Sequence, residues 1–169
     1  MNLSIQKVGI LCLLFSVFFC SYAQLDTVKI DVIGLTCSSC SKSVEEKLIQ
    51  VNFVKQVYMN LNLNEAKIVV DFSKDVHWEL LSKAVYDAGF SVGALVIPSC
   101  SSVPIGLNGK SCDSTYIYAG DSSLQRIDQN VYRLIGKNYM DKKTFRNWNK
   151  KMALNNLIVS PDPTVYYYY

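Results

Sequence analysis

Apolar and polar residues alternate over 28–33, where Val28, Ile30 and Val32 interleave with Lys29 and Asp31. A period of two is a strand with one buried face. From Ser41 the period changes: Val44, Leu48 and Val51 recur at helical spacing, with Glu45, Glu46 and Lys47 between them, which predicts a helix. Residues 54–63 return to strand, closed by a turn at Asn62, Asn64 and Glu65. Residues 66–72 form a third strand. A second helix over 76–88 buries Leu80, Leu81, Ala84 and Val85, and Gly89 suits its C′ position. Residues 91–97 complete the pattern. The order βαββαβ is the split-βαβ arrangement. It predicts an α+β, ferredoxin-like sandwich: a four-stranded antiparallel sheet with two helices on one face.

That order fixes which ends meet. If the first strand runs up, the first helix runs down, the second strand up, the third down and the second helix up. Residues 34–40, the Asn-rich turn at 60–65 and Gly89-Phe90 therefore share one end of the sheet. His77 and the exit toward Cys100 lie at the other.

The pattern weakens after residue 97. Short strand-like runs occur at 115–118 and 131–135, and Asp141 can cap a helix in which Phe145, Trp148 and Met152 share a face. Pro161 and Pro163 precede the run Tyr166 to Tyr169, which converts to no function. This extension is α/β in character without a recognised architecture. Charge divides at the same place. Residues 24–97 carry seven Lys and nine Asp/Glu, a net −2, and residues 98–169 carry nine Lys/Arg and five Asp, a net +4. A Ser/Pro-rich junction begins at Pro98. The expected division is 24–97 as one domain, 98–114 as a linker and 115–169 as a C-terminal region. The helix near 141–152 carries Lys142, Lys143, Arg146, Lys150 and Lys151. Such a helix either presents a solvated face over a small core, or makes weak contact with an acidic partner or an anionic membrane surface. The formal charge of the whole chain, +3, argues against a nucleic-acid partner.

The first 23 residues read as an export signal. Lys7 and the amino terminus supply the positive region, 8–19 the apolar run, and Ser21-Tyr22-Ala23 a cleavage site. An uncleaved anchor is the alternative; bulky Phe19 before Cys20 disfavours lipid modification. A periplasmic or cell-envelope location follows. Of six cysteines, Cys12 and Cys20 would leave with the signal, and Cys37, Cys40, Cys100 and Cys112 would remain. In an oxidising compartment either Cys37 and Cys40 or Cys100 and Cys112 can pair as a disulfide.

The candidate chemistry sits at Gly34-Leu35-Thr36-Cys37-Ser38-Ser39-Cys40, between the first strand and the first helix. Two thiolates favour soft ions. A helix start stabilises negative charge and lowers thiol pKa. Bonds of about 2.3 Å each to a shared ion, on the zinc–thiolate scale, need sulfurs up to ~4.6 Å apart, which this pair can reach. The same pair can close as a disulfide, so metal binding and thiol–disulfide exchange both remain open. Structural zinc would need Cys100 and Cys112 as well, and these exit at the opposite end. The motif lacks the following His of a haem attachment site. His77, the single histidine, reads as a solvated or capping residue, and Met59 as core. No hydrolytic or phosphoryl-transfer motif stands out, and capture and transfer of an ion would change no bond in a substrate, so the chain reads as a non-enzyme.

Residues 26–97 resemble the heavy-metal-associated domain family, found in copper chaperones, in metal-exporting P-type ATPases and in periplasmic mercury-binding proteins. The family pattern Gly-Met-Thr-Cys-x-x-Cys corresponds to residues 34–40, and Asp87-Ala88-Gly89-Phe90 is similar to the family's second-helix ending. The resemblance implies that Cys37 and Cys40 are metal ligands, for Cu(I) in the first place and Hg(II) in the second. It implies metal transfer with a P-type ATPase or another donor or acceptor protein. Leu35 stands where Met is usual, a position that packs beneath the loop. Thr36 stands where zinc- or cadmium-binding members often carry Asp, which favours a soft ion. Phe90 occupies a position beside the site that shields the metal in the family, or it is simply core. The rival readings are a thiol–disulfide exchanger and an interaction module whose function lies in 98–169.

Overall fold

The computed structural model describes residues 27–99, 116–119, 131–154 and 166–169. The export signal at 1–23, most of the segment 98–114 with Cys100 and Cys112, and Pro161 and Pro163 lie outside the described residues. The elements are β1 (Thr27–Ile33), α1 (Ser38–Leu48), β2 (Val54–Asn60), β3 (Glu65–Val70), α2 (Trp78–Asp87) and β4 (Ser91–Pro98). After them come β5 (Tyr116–Tyr118), β6 (Val131–Ile135), α3 (Lys142–Leu154) and β7 (Tyr166–Tyr168).

The first six elements form the expected βαββαβ sandwich. β1 lies between β3 and β4, antiparallel to both, and β2 pairs with β3. The period-two residues of β1, Val28, Ile30 and Val32, are fully or almost fully buried. They meet Ala66, Ile68 and Val70 of β3, Leu95 and Ile97 of β4, and Val44, Leu48, Leu81 and Val85 of the two helices. Burial of apolar side chains of this size supplies about 1.5–3 kcal/mol each.

Two expectations need correction. The second strand stops at Asn60, three residues early. Asn60 Oδ1 accepts the Leu63 N–H at 3.2 Å, and Asn64 takes φ +52°, a conformation that Asn tolerates well. The alternation therefore ends in a turn, with Leu61 and Leu63 exposed. In α2, Leu80 is exposed and Trp78 takes its expected place in the core. The buried stripe runs Trp78, Leu81, Ser82, Val85, an i, i+3, i+4, i+7 pattern that turns position 80 toward solvent.

Beyond β4 the sheet continues. β6 pairs antiparallel with β4, matching Val96 to Arg133 and Pro98 to Val131. β7 pairs antiparallel with β6, and β5 pairs parallel with β7. The full order is β2-β3-β1-β4-β6-β7-β5. The β4 edge, which a four-stranded βαββαβ sheet leaves open, is thus covered. Side chains on these added strands alternate between two cores. Leu134, Tyr116 and Tyr166 join the core beneath α1 and α2. Ile135 and Tyr167 point the other way, to a second cluster with Ala119, Met140 and Met152. Phe145 and Trp148 pack on that cluster, so α3 covers the opposite face of the sheet. Asp141 caps α3 as expected, its Oδ1 accepting the Lys143 and Thr144 N–H groups at 3.0 Å each.

Candidate metal centre

The loop between β1 and α1 is shaped by its sequence. Gly34 takes φ +96°, a left-handed conformation that favours glycine. Leu35 turns inward and is 5% exposed, part of the main core, which anchors the loop from beneath as the family resemblance implied. Thr36, Ser38 and Ser39 are exposed, and Cys37 and Cys40 are half-buried.

Cys37 is the N-cap residue of α1, in extended conformation. Its Sγ accepts the Cys40 N–H at 3.1 Å, so sulfur does the work that a Ser or Asp oxygen does at most helix starts. Ser39 Oγ lies 3.1 Å from the same sulfur. Ser41 N–H bonds to the Cys37 carbonyl at 3.1 Å, which sets Cys40 in the first helical turn. No acidic residue occupies that turn. The N-terminal dipole and the free N–H groups therefore act on the sulfurs without a competing anion. In this structure Cys37 and Cys40 are joined as a disulfide, with Cα atoms 5.2 Å apart. Taking up two electrons and two protons converts the pair to thiols; deprotonation then gives two thiolates on one exposed loop.

The neighbours expected at this end are there. Val32 N–H donates to the Asn64 carbonyl at 2.8 Å, tying the β2–β3 turn to the end of β1. At the end of α2, Gly89 takes φ +89°. Its N–H reaches the Tyr86 carbonyl at 2.9 Å and the Phe90 N–H reaches Val85 at 3.1 Å, the paired bonds of a Schellman cap. That cap aims Phe90 at the loop: a Cβ built on Gly34 would lie 3.7 Å from Phe90 Cδ1. Phe90 also packs against the core, so one side chain both borders the loop and fills the core.

His77 starts α2 at the far end of the sheet, is exposed and makes no side-chain capping bond. Its Nδ1 lies 3.4 Å from Glu79 Oε1. Met59 is half-buried against the core. Among the described residues, no group of three or more His, Cys, Asp or Glu is placed to share an ion.

The sequence reading assigned nothing to the aromatic joint between the two parts of the sheet. Trp78 Nε1–H donates to Tyr116 Oη at 2.9 Å in the buried interior, and Tyr166 Oη–H donates to Glu79 Oε2 at 3.4 Å. Tyr116 stacks on Tyr166, and Tyr132 on Tyr168. Burial pushes the Tyr116 phenol up to about 12, against a smaller lowering by the Trp78 hydrogen bond. Burial, then the nearby Glu79 carboxylate, raises Tyr139 and Tyr166 further. The tyrosine run at 166–169 was the available signal.

Residues 29–91 match the family model for the heavy-metal-associated domain, and this part of the chain is such a domain. The chain is 31% identical over 87 residues to a copper-exporting P-type ATPase of Staphylococcus epidermidis, a match covering 51% of this chain and 10% of that protein. It is 31% identical over 102 residues to copper-transporting ATPase 2 of Homo sapiens, covering 60% of this chain and 6% of that protein. The chain thus spans a tenth or less of the length of these curated relatives. A crystal structure of oxidised MerP from Ralstonia metallidurans is 34% identical, covers 39% of this chain and 93% of that one, and superposes with a TM-score of 0.36.

Proposed function

We propose that this protein binds Cu(I) through Cys37 and Cys40 and passes it to a partner by thiolate exchange, working in the cell envelope after export. The observation that carries the reading is the placement of both sulfurs: Cys37 caps α1 and Cys40 opens its first turn on an exposed loop. A helix start of this kind stabilises the thiolate form that soft ions require. Copper is preferred because the matched curated proteins are named as copper transporters. Hg(II) uses the same two-sulfur geometry and is the second cargo in rank.

Transfer proceeds without redox change at the metal. A two-coordinate ion accepts an incoming partner thiolate, and one original sulfur then leaves and takes a proton. Leu35 holds the loop from below and Phe90 screens it from one side, so exchange approaches from the open side of Thr36 and Ser38. A metal-transporting P-type ATPase is the partner class most consistent with this exchange. In this reading the described domain binds and hands on, and performs no catalysis.

The Cys37–Cys40 disulfide supports a second reading, thiol–disulfide exchange. Equilibrium competition for Cu(I) under reducing conditions, run beside a dithiol-exchange assay, separates them. Tight one-to-one binding without exchange activity is the expected result. Exchange activity with no retained Cu(I) would overturn the metal reading. Amino-terminal sequencing of the envelope fraction tests export, with a mature chain starting at Gln24 expected.

A further inference from the structure

The α3 helix has the sequence KKTFRNWNKKMAL, which contains five cations and no acidic residue. Met152 is buried and Phe145 and Trp148 are half-buried against the second core, which fixes the rotation of the helix on the sheet. At 3.6 residues per turn, Lys142, Lys143, Arg146 and Lys150 then fall within about 100° of its outer circumference, on a ridge about 12 Å long. All four are exposed. Among the described residues none of them is ion-paired; the ion pairs involve Lys29, Lys42, Lys55, His77 and Lys83 instead. Lys151 differs, lying over the Trp148 ring at 4.8 Å. At the C-terminal end of the ridge, Leu154 is 82% exposed, next to Lys150 and Lys143 on the helical projection.

We propose that this ridge docks the protein onto anionic phospholipid headgroups. Three of its four cations are lysines, hydrated point charges suited to a diffuse anionic surface; fitted carboxylate recognition calls for Arg forks. The ridge is convex along a helix, a shape that meets a plane of headgroups along its whole length. Leu154 adds one apolar side chain at the rim, which a bilayer surface accommodates. Because Phe145, Trp148 and Met152 are committed to the protein's own core, the contact is electrostatic and reversible, and it weakens with salt. The proposal does not depend on metal binding.

The test is cosedimentation of the metal-free chain starting at Gln24 with phosphatidylglycerol/phosphatidylcholine vesicles and with phosphatidylcholine vesicles alone. Selective pelleting with the anionic vesicles, abolished by high salt, is expected. Changing all four ridge cations to Gln should weaken partition by about a hundredfold or more. Lys29→Gln with Lys67→Gln, on the other part of the sheet, should leave binding unchanged. Cys37→Ser with Cys40→Ser should bind vesicles normally, which separates this outcome from any failure of the metal reading. Every variant starts at Gln24, so the apolar run at 8–19 cannot pellet the chain by itself. Equal pelleting with phosphatidylcholine alone would overturn the proposal, as would undiminished binding by the four-Gln variant. So would retention on immobilised polyglutamate without vesicle binding, which would assign the ridge to an acidic protein.

Discussion

Strands β1, β3 and β4 fill the helix-covered face of the sheet with Val28, Ile30, Val32, Ala66, Ile68, Val70, Leu95 and Ile97. The same layer at β5 and β7 holds Tyr116 and Tyr166, with Tyr132, Tyr139 and Tyr168 packed against them. Aliphatic side chains ask only for volume, so the first region closes on itself and leaves its metal loop free of the core's hydrogen bonds. A buried phenol needs a partner for its hydroxyl. Tyr116 and Tyr166 find theirs on Trp78 and Glu79, at the start of α2. The second region is therefore bonded to the first at the end remote from the cysteines. The cysteine loop and the attachment sit at opposite ends of one helix.

The largest expected effect lies in the aliphatic region. Cys37→Ser or Cys40→Ser should weaken Cu(I) binding on the order of ten-thousandfold, about 5.5 kcal/mol. Competition against a chromogenic Cu(I) chelator checks this. Binding that survives either change within a few-fold would mean the ion is held elsewhere.

Next in size is the joint. Trp78→Ala should cost about 3–5 kcal/mol of unfolding free energy by urea titration. Cu(I) affinity measured in the folded range should stay within about twofold, because the sites are distant and share no partners. A matching loss of affinity would show that the two ends are coupled.

Alkaline pH should then separate the regions without mutation. Tyr116 ionises near 10 when unfolded and about 12 when folded, and Tyr139 and Tyr166 are raised in the same direction. Above pH 10 the unfolded chain holds fewer protons than the folded one, so stability falls as pH rises. The contribution is complete below pH 10 and is lost progressively from there toward pH 12. Phenolate absorbance near 295 nm, followed beside far-ultraviolet dichroism, should show these tyrosines ionising together with loss of structure. Free titration of all tyrosines near pH 10 with structure intact would contradict the buried joint.

The smallest effect is expected at Leu35→Met. The swap conserves volume beneath the loop and should change stability by less than about 1.5 kcal/mol, with Cu(I) affinity nearly unaltered. A large loss of affinity would mean that loop shape, as well as the two sulfurs, sets the metal site.

The aliphatic region was legible because its signals are local. Alternation in β1, helical spacing in α1 and Gly89 after α2 each fall within one element. The misread positions were those where a neighbour decides. Leu63 continues an alternation that Asn60 and Asn64 break, and Trp78 precedes a helical stripe that only its contact with Tyr116 makes complete. In the second region 115–118 and 131–135 were recognised as strand-like, and the Asp141 cap was readable. The pairing was not, because strands as short as Tyr116–Tyr118 and Val131–Ile135 carry too little alternation to fix an order or a register. Tyr166 to Tyr169 have no alternation at all, since Tyr166 and Tyr167 are buried on opposite faces. A strand enclosed on both sides reads as a uniform run. At the loop, Cys37 and Cys40 were found by spacing, whereas the capping role of Cys37 Sγ needed the geometry.

The strand order carries a consequence for how the chain is made. β5 has β7 as its neighbour, and Tyr116 meets Tyr166 only after some fifty intervening residues have emerged. Synthesis is vectorial, so the βαββαβ domain can close first and take up β6 on β4, while β5 and the outer edge of β6 wait with unpaired backbone groups. That interval exposes the edges of β5 and β6 that β7 will cover, with a set of aromatic side chains, to other chains. Any chaperone that protects this protein should act in that window and should release it once β7 inserts.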